Sequence, residues 1–230
     1  MKKGDIKKQE ILQTAEQLFC RKGFKETSIQ DILDVLHSSK GSFYHHYASK
    51  ESVLAALCVQ RANAMAAAAE ESLKQETDTI RRMNVVFSGM MPLNGERLSF
   101  LLMLLPVLGL PEGWSVKNAY RDSLEKAFLK LLTQVISDGC ADGTLYCSEI
   151  SETAAICLKL ANEVWCMICE SILSSERKAV QTDAGNLLSA ISSYRTALER
   201  ILSAPYGSIR LLDLAEIIFL SEQIHVHWRT

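Results

Sequence analysis

Polar and aromatic side chains that could contact nucleic acid are concentrated near the start of the chain. Residues 27–51 read TSIQDILDVLHSSKGSFYHHYASKE. Lys40 supplies a positive charge at the expected start of a short helix, where backbone N–H groups and the helix dipole also favour a phosphate. Ser42, Tyr44 and His45 carry groups that can hydrogen-bond phosphate oxygens or base edges. The chemistry of this stretch therefore suits an anionic partner.

Three more residues fit the same chemistry. Gly41 carries no side chain and could let a helix approach the bases closely, which would give a reason for a glycine that costs a helix interior about 1 kcal/mol. Thr27 and Lys50 open the two flanking helices and are candidate phosphate contacts. Other interpretations stay open, because the lysines could belong to an ordinary solvated face. Tyr44 and Tyr47 could both be core aromatics, and for Tyr47 we prefer that interpretation.

Charge is unevenly distributed along the 230 residues, although the whole chain has a formal net charge of −2. Residues 1–50 carry nine Lys and Arg against six Asp and Glu, a net charge of +3, and the other 180 residues carry −5. This asymmetry suggests a small module for an anionic partner on a mildly acidic body. The composition, 48% hydrophobic and 23% charged, is typical of a globular protein and excludes a disordered chain.

Apolar residues recur with helical spacing almost throughout, so we expect an all-α fold. A stripe over residues 11–19 predicts a first helix that ends at Lys22-Gly23. Thr27-Ser28 and Ser38-Ser39 supply N-cap hydroxyls for a second helix over 29–36 and a short third helix. The other predicted helices cover residues 49–75, 77–91, 95–108, 115–139, 149–174, 176–203 and 208–224. The breaks among these later helices fall at Pro92 with Asn94-Gly95, Pro111-Glu112-Gly113, Asp142-Gly143, and Pro205 with Gly207.

Three short helices in fewer than fifty residues have the layout of a helix-turn-helix. In that motif the second helix enters the major groove of DNA while the first crosses the backbone. We therefore predict an N-terminal three-helix helix-turn-helix DNA-binding domain over residues 1–48 and a larger helical domain over residues 49–230. The helix over 49–75 would connect the two.

The segment SKGSFYHHYASKE, residues 39–51, resembles the recognition-helix signature of the TetR (tetracycline repressor) family of bacterial transcription regulators. The resemblance covers about residues 8–57. It implies that Phe43 packs inward and that DNA is faced by Thr27, Ser39, Lys40, Ser42, Tyr44, His45 and Lys50. It also implies that the larger domain is a helical bundle for ligand binding and dimerisation.

On this resemblance we expect a ligand-responsive regulator, more a repressor than an activator, that binds a double-stranded DNA operator as a homodimer. An apolar or amphipathic small-molecule inducer would release it. One departure is the turn, where the family usually has glycine and then a branched apolar residue, and this chain has His37 and Ser38. Histidine is among the residues enriched at left-handed positions. The alternative is a helical small-molecule or partner-binding protein with weakened or lost DNA binding.

Residues 76–230 carry no Gly-rich phosphate loop, HExxH motif or G-x-S-x-G elbow, so we expect no enzyme, no catalytic residue and no cofactor. Methionine and aromatic side chains there suit an adaptable apolar pocket, although ordinary core is the alternative. The candidate ligand site lies near Phe87, Met91, Phe100, Met103 and Trp165. The helices over 149–174 and 176–203 are expected to form the dimer interface, with possible contacts at Leu158, Ala161, Trp165, Leu188, Ile191, Tyr194 and Leu198.

Seven irregularly spaced cysteines do not form a disulfide framework in a chain of this length. Buried apolar cysteine is the default interpretation, but Cys140 and Cys147 flank the Asp142-Gly143 turn and could form a thiol pair. No metal site is expected. The first ten residues lack the apolar stretch of a signal peptide, and the most apolar run, residues 98–110, is shorter than the roughly 20 residues that cross a bilayer. We expect a cytoplasmic protein with reduced thiols and no membrane partner.

Overall fold

A computed structural model describes residues 3–91, 93, 95–108, 113–178 and 184–229. Over these ranges the secondary structure is helical and includes no strand, so the all-α prediction is confirmed. The helices are α1 (Lys3–Lys22), α2 (Ile29–Leu36), α3 (Lys40–His46), α4 (Lys50–Leu73), α5 (Thr79–Gly89), α6 (Gly95–Leu108), α7 (Trp114–Ala141), α8 (Ile150–Lys178), α9 (Ala184–Leu202) and α10 (Leu214–Arg229).

The predicted boundaries agree with these helices except near the C-terminal end. The predicted helix over 176–203 is α9, which begins at Ala184, while residues 176–178 end α8. The last helix begins at Leu214 rather than at residue 208, because Asp213 caps it. The Asp213 carboxylate accepts from the Glu216 N–H at 2.9 Å, and the Glu216 carboxylate accepts from the Asp213 N–H at 2.9 Å. Two predicted breaks fall on residues outside the described ranges: Pro92 with Asn94, and Pro111-Glu112.

The chain forms two compact units, of which the first comprises residues 1–61 and 94–120. In it α1 packs against α2 and α6, and α2 packs against α3. Phe19 and Phe24 meet edge to face with their ring centroids 5.0 Å apart. Arg61 of α4 donates from Nε to the Glu16 carboxylate of α1 at 2.6 Å. Because this ion pair is largely shielded from solvent, it fixes the middle of α4 against α1.

The second unit comprises residues 62–93 and 121–230. Its helices α8, α9 and α10 pack against one another. Arg82 of α5 donates to the Asp138 carboxylate of α7 at 2.7 Å. Gly89 allows a close approach, because a Cβ there would lie 2.9 Å from the Ala69 Cβ of α4. The compact units do not coincide with the predicted domains over 1–48 and 49–230. The assignment of DNA binding to the first of these domains, and of ligand binding and dimerisation to the second, stays a prediction.

Three of the expected dimer contacts on α8 and α9 belong to the core of this unit. Leu158, Ala161 and Leu198 are fully buried within the chain. The apolar face of α8 is already covered by α9 and α10 of the same chain, so these side chains cannot also pack against a second copy. The part that the other expected contacts, Trp165, Leu188, Ile191 and Tyr194, take in a dimer interface stays a prediction.

One described helix, α4, is long and apolar enough to cross a bilayer by length and composition alone. The core helix of a globular protein passes the same test, and α4 contributes buried residues such as Leu54, Leu57 and Met65 to the packing. Its composition is accounted for by this burial.

Candidate nucleic-acid interface

The turn between α2 and α3 is formed as the motif requires, even though histidine stands at its left-handed position. His37 has φ 47° and ψ 46°, and its N–H donates to the Asp34 and Leu33 carbonyls. The Ser38 N–H donates to the Leu33 carbonyl at 3.0 Å, which completes the helix end. The turn that the sequence left in doubt therefore keeps the geometry that a glycine would give.

Capping hydrogen bonds and an ion pair fix the start of α2. Ser28 and Asp31 form a capping box, with the Ser28 N–H 2.6 Å from the Asp31 carboxylate and the Asp31 N–H 3.1 Å from the Ser28 hydroxyl. Lys22, at the end of α1, lies 2.8 Å from the same carboxylate. The hydrogen bonds from Lys22 and Ser28 hold the pKa of Asp31 well below its usual value. This carboxylate therefore ties the first helix to the second.

Helix α3 presents one face to the core and the opposite face to solvent. Phe43 is fully buried, as the resemblance implied, and Tyr47 is also buried, in agreement with the interpretation we prefer. Burial raises the pKa of the Tyr47 phenol to about 12. Tyr44 is 54% exposed and packs edge to face on the Phe43 ring, with centroids 5.5 Å apart. Phe43 and Tyr47 thus form an aromatic anchor that holds α3 and its outward side chains in place.

The predicted DNA contacts on α3 lie together on its outer side. Ser39 caps the helix by accepting from the Ser42 N–H at 3.3 Å, and Ser42 is half-buried. Lys40, Gly41 and His45 are exposed. A Cβ at Gly41 would meet only the Ser39 hydroxyl, at 3.9 Å, so the free protein does not itself require glycine there. Over the described residues no carboxylate lies in ion-pair range of Lys40, whose charge therefore remains available to an anion.

Thr27 lies in the loop that joins α1 to α2, and the side chain of Lys50, the first residue of α4, reaches into that loop. Thr27 is fully buried, and its hydroxyl donates to the Gly23 carbonyl at 2.8 Å. The Lys50 ammonium donates to the carbonyls of Phe24 at 2.6 Å, Thr27 at 2.8 Å and Lys25 at 3.3 Å. It also lies 4.3 Å from the centroid of the Phe24 ring. Both side chains are occupied within the protein, and their role as phosphate contacts stays a prediction.

Burial lowers the pKa of the Lys50 ammonium, and the neighbouring carboxylates of Glu51, Glu26 and Asp31 oppose that effect. The position of Lys50 beside three carbonyls was not readable from the sequence, because the carbonyls lie 23 to 26 residues away along the chain. A lysine after a serine cap indicates only a solvated helix start. The sequence reasoning therefore missed the structural task of this residue.

The residues predicted to line a ligand pocket belong to both compact units. Phe100 and Met103 are in the first unit, and Phe87, Met91 and Trp165 are in the second. All five are buried, so each at least serves as core. Their shared role in a ligand site stays a prediction.

A cavity of about 420 Å³ lies within the second unit, between α5, α9 and the segment that precedes α10. It is lined by Asn84, Leu188, Ile191, Ser192, Arg195, Gly207, Ser208, Ile209, Arg210, Leu211, Leu212 and Asp213. The Arg195 Nε and the Ser208 hydroxyl are buried atoms without a hydrogen-bond partner, and the Arg195 Nε lies 3.9 Å from the Glu199 carboxylate, within ion-pair distance. These residues come from distant parts of the chain and have unremarkable types, so no sequence pattern pointed to a cavity here.

Comparison with known proteins relates the N-terminal module to transcription regulators. A family described as bacterial regulatory proteins of the tetR family matches residues 11–57. The uncharacterised regulator YerO of Bacillus subtilis is 46% identical over 52 residues, which are 23% of this chain and 18% of YerO. The transcriptional repressor KstR2 of Rhodococcus jostii is 42% identical over 45 residues, 20% of this chain and 22% of KstR2. The chain thus matches about a fifth of the length of these relatives.

Solved structures resemble the whole chain in fold. A TetR-family regulator from Pectobacterium atrosepticum has a TM-score of 0.63 at 18% identity, over 89% of this chain and 100% of that one. A TetR-family regulator from Mesorhizobium loti has a TM-score of 0.54 at 12% identity, over 100% of this chain and 98% of that one. At these identities the likeness concerns the fold.

The left-handed turn, the short capped helix α3 and its aromatic anchor define a helix-turn-helix protein. The family match covers this same module, and the relatives that share it are regulators rather than enzymes. Residues 11–57 thus form a module of the kind found in the TetR family of bacterial transcription regulators.

Proposed function

We propose that this protein is a ligand-responsive transcription regulator that binds a double-stranded DNA operator through α3. The observation that carries the proposal is the exposed set of Lys40, Tyr44 and His45 on a helix anchored by Phe43, in the segment that the TetR family matches. These side chains project from one short helix whose positive charge is unpaired among the described residues. Such a helix can enter a major groove and contact both phosphates and base edges.

Within this proposal the predicted contacts divide into two groups. Ser39, Lys40, Gly41, Ser42, Tyr44 and His45 would contact DNA directly. Thr27 and Lys50 would act indirectly, by holding the loop after α1 in the shape that positions α2 and α3. The alternative, a protein without DNA binding, drew its support from the His37-Ser38 turn. Because that turn keeps its left-handed geometry, we favour DNA binding.

Repression, rather than activation, is supported by the relative KstR2, which is named a transcriptional repressor. The ligand would be a small molecule bound in the helical bundle. One candidate site is the apolar set of Phe87, Met91, Phe100, Met103 and Trp165. A second is the cavity between α5 and α9, whose size is in the range of small-molecule sites and whose Arg195 and Ser208 offer unsatisfied donors. The regulator would act in the cytoplasm.

The protein would bind its operator as a homodimer, since two recognition helices are needed to read two half-sites. With the inner face of α8 covered, the interface we propose uses the exposed apolar residues of α10 and α8. Leu214, Ile218 and Phe219 of α10 are 40–45% exposed, and Ile156 of α8 is 48% exposed. Sedimentation of Ile218→Glu should show a monomer where the wild type is a dimer. Val59→Glu, at a similarly exposed position of α4, should remain dimeric, and a wild-type monomer would refute the proposal.

DNA binding is tested by selecting duplexes from a random library with the full-length protein. We expect enrichment of a near-palindromic sequence, and an affinity that falls steeply with salt. Lys40→Ala should reduce the magnitude of the salt slope by about 0.9 for each phosphate that the Lys40 ammonium neutralises. Lys130→Ala, an exposed lysine of α7, is the matched control and should leave the slope unchanged. Failure to enrich any sequence, with the same weak binding at about 50 and 200 mM salt, would refute the proposal.

A further inference from the structure

Two cysteines meet at the turn between α7 and α8. Cys140 lies in the last turn of α7 and Cys147 in the segment before α8, and their sulfur atoms are 3.7 Å apart. The chain reverses between them through Gly143, whose φ of +78° is readily adopted by glycine. The Leu145 N–H donates to the Gly139 carbonyl at 2.9 Å and holds the turn closed. The fold thus brings together two thiols that the sequence only placed on either side of a turn.

We propose that Cys140 and Cys147 form an oxidisable dithiol that a peroxide converts into an intramolecular disulfide. In the first step one sulfur attacks a peroxide oxygen, an S–O bond forms and the O–O bond breaks, which gives a sulfenic acid. The leaving group is water when the oxidant is hydrogen peroxide and an alcohol when it is an organic hydroperoxide. In the second step the other sulfur attacks the sulfenic sulfur, the S–S bond forms, the S–O bond breaks, and the hydroxyl group leaves as water with the thiol proton. The two thiols lose two electrons in total, and the peroxide gains them.

The geometry distinguishes this pair from the other thiols. The distance between the sulfur atoms must shorten by less than about 2 Å to reach the length of a disulfide bond. Both residues are partly exposed, so a small oxidant can reach them. Cys58 and Cys157 are fully buried, and burial raises the pKa of each thiol to about 12. Cys20 is exposed, but it has no cysteine within bonding distance over the described part of the chain.

The environment of Cys147 fits a pair that is reduced at rest. Burial and the neighbouring Cys140 thiol raise the pKa of Cys147, while a hydrogen bond with Thr153 lowers it. A protonated thiol is a poor nucleophile, so Cys147 must lose its proton before its sulfur can attack in either step. Oxidation should accelerate as pH rises, because the thiolate is the reacting form.

A disulfide between Cys140 and Cys147 would also affect helices that contact the turn between these two residues. The Thr79 hydroxyl at the start of α5 donates to the Asp142 carboxylate at 2.8 Å. The Tyr146 N–H donates to the Leu202 carbonyl at the end of α9, at 3.0 Å. Helix α5 therefore begins, and helix α9 ends, against the oxidisable turn. Closing a loop of about eight residues should raise the melting temperature of the oxidised protein by several degrees.

The test treats the full-length protein with a small excess of hydrogen peroxide, then alkylates free thiols and maps the cysteines without reduction. Cleavage before Asp142 and after Glu149 separates Cys140, Cys147 and Cys157 into different peptides. We expect a cross-linked pair containing Cys140 and Cys147, a mass lower by about 2 Da, and reversal by dithiothreitol. A pair that stays reduced while Cys20 is oxidised, or a cross-link that joins Cys147 to Cys157, would overturn the proposal.

Variants give an independent measure. Cys140→Ser and Cys147→Ser should each abolish the cross-link and leave the remaining thiol as a sulfenic acid that dimedone labels. Cys20→Ser is the matched control and should cross-link like the wild type. Because the peptide map is made on wild-type protein, the proposal remains testable even if a serine variant folds poorly. An unchanged yield of the cross-link in Cys147→Ser would show that a different residue pairs with Cys140 and would refute the assignment.

Discussion

Replacing Lys50 with methionine is expected to destabilise the protein without altering its electrostatic contacts with DNA. The Lys50 ammonium donates to three backbone carbonyls, two of them at 2.6 and 2.8 Å, and lies over the Phe24 ring. Methionine has a similar length and keeps the apolar contacts, but it leaves these carbonyls without their donor.

The magnitude follows from the number and quality of these bonds. A hydrogen bond to a charged group contributes about 1.5–3 kcal/mol, and the cost of desolvating the ammonium offsets part of the sum. We expect the free energy of unfolding to fall by about 2 kcal/mol net. For a chain of this length that corresponds to a fall of roughly 4–8 °C in melting temperature.

Lys40→Met is the matched variant, because Lys40 is exposed and has no acidic partner among the described residues. It should change the free energy of unfolding by less than about 0.5 kcal/mol and should weaken DNA binding with a flatter salt dependence. Lys50→Met, measured well below its melting temperature, should keep the wild-type salt slope. The reasoning fails if Lys50→Met keeps the wild-type melting temperature and flattens the salt slope as Lys40→Met does. That result would show that the wild-type Lys50 ammonium leaves its backbone carbonyls to bind a phosphate.

Three further predictions concern the first and second units. His37→Gly should raise the free energy of unfolding by about 0.5–1 kcal/mol in chemical denaturation, because glycine adopts φ near 47° without strain; a decrease in stability would contradict this. Asp31→Asn should lower the melting temperature at pH 7. Because the folded state lowers the Asp31 pKa, the wild-type advantage should be complete above the ordinary value of about 3.9 and should shrink as pH falls below it. An advantage that persists at lower pH would exclude the ion pair as its cause. Gly139→Ala should lower the free energy of unfolding by about 1–3 kcal/mol, since its Cβ would lie 2.6 Å from the Thr79 Cγ2 and 2.7 Å from the Leu145 Cδ1; wild-type stability would show that these neighbours move freely.

Local signals explain why the helix-turn-helix was predictable from the sequence. Ser28 and Ser39 are hydroxyl caps whose partners lie three residues away, so the same short segment contains both the signal and the structure. Phe43 is inward and Tyr44 outward because adjacent residues of a helix point about 100° apart. The Cys140–Cys147 pair was partly predictable for the same reason, since one glycine turn separates the two residues.

Long-range features were not predictable in this way. Helical periodicity shows that α8 has an apolar face, but not whether that face meets α9 and α10 of its own chain or a second copy. Leu158 and Ala161 therefore looked like dimer contacts although they are core. Nor could the types of Arg195 and Ser208 reveal the cavity that they line, because each is an ordinary surface residue when considered alone.

The positive charge of the N-terminal segment is divided between folding and recognition. Lys22 is bound to Asp31, Lys7 lies 3.0 Å from Glu10, and Lys50 is held by carbonyls. An ammonium bound within the protein can release a DNA counterion only if it first gives up that partner, and this exchange reduces its contribution to affinity. Lys40, which has no such partner in the described structure, incurs no such cost. The ability of the module to bind phosphate therefore depends on which lysines the fold leaves unengaged, and the net charge of +3 over residues 1–50 is a poor measure of it.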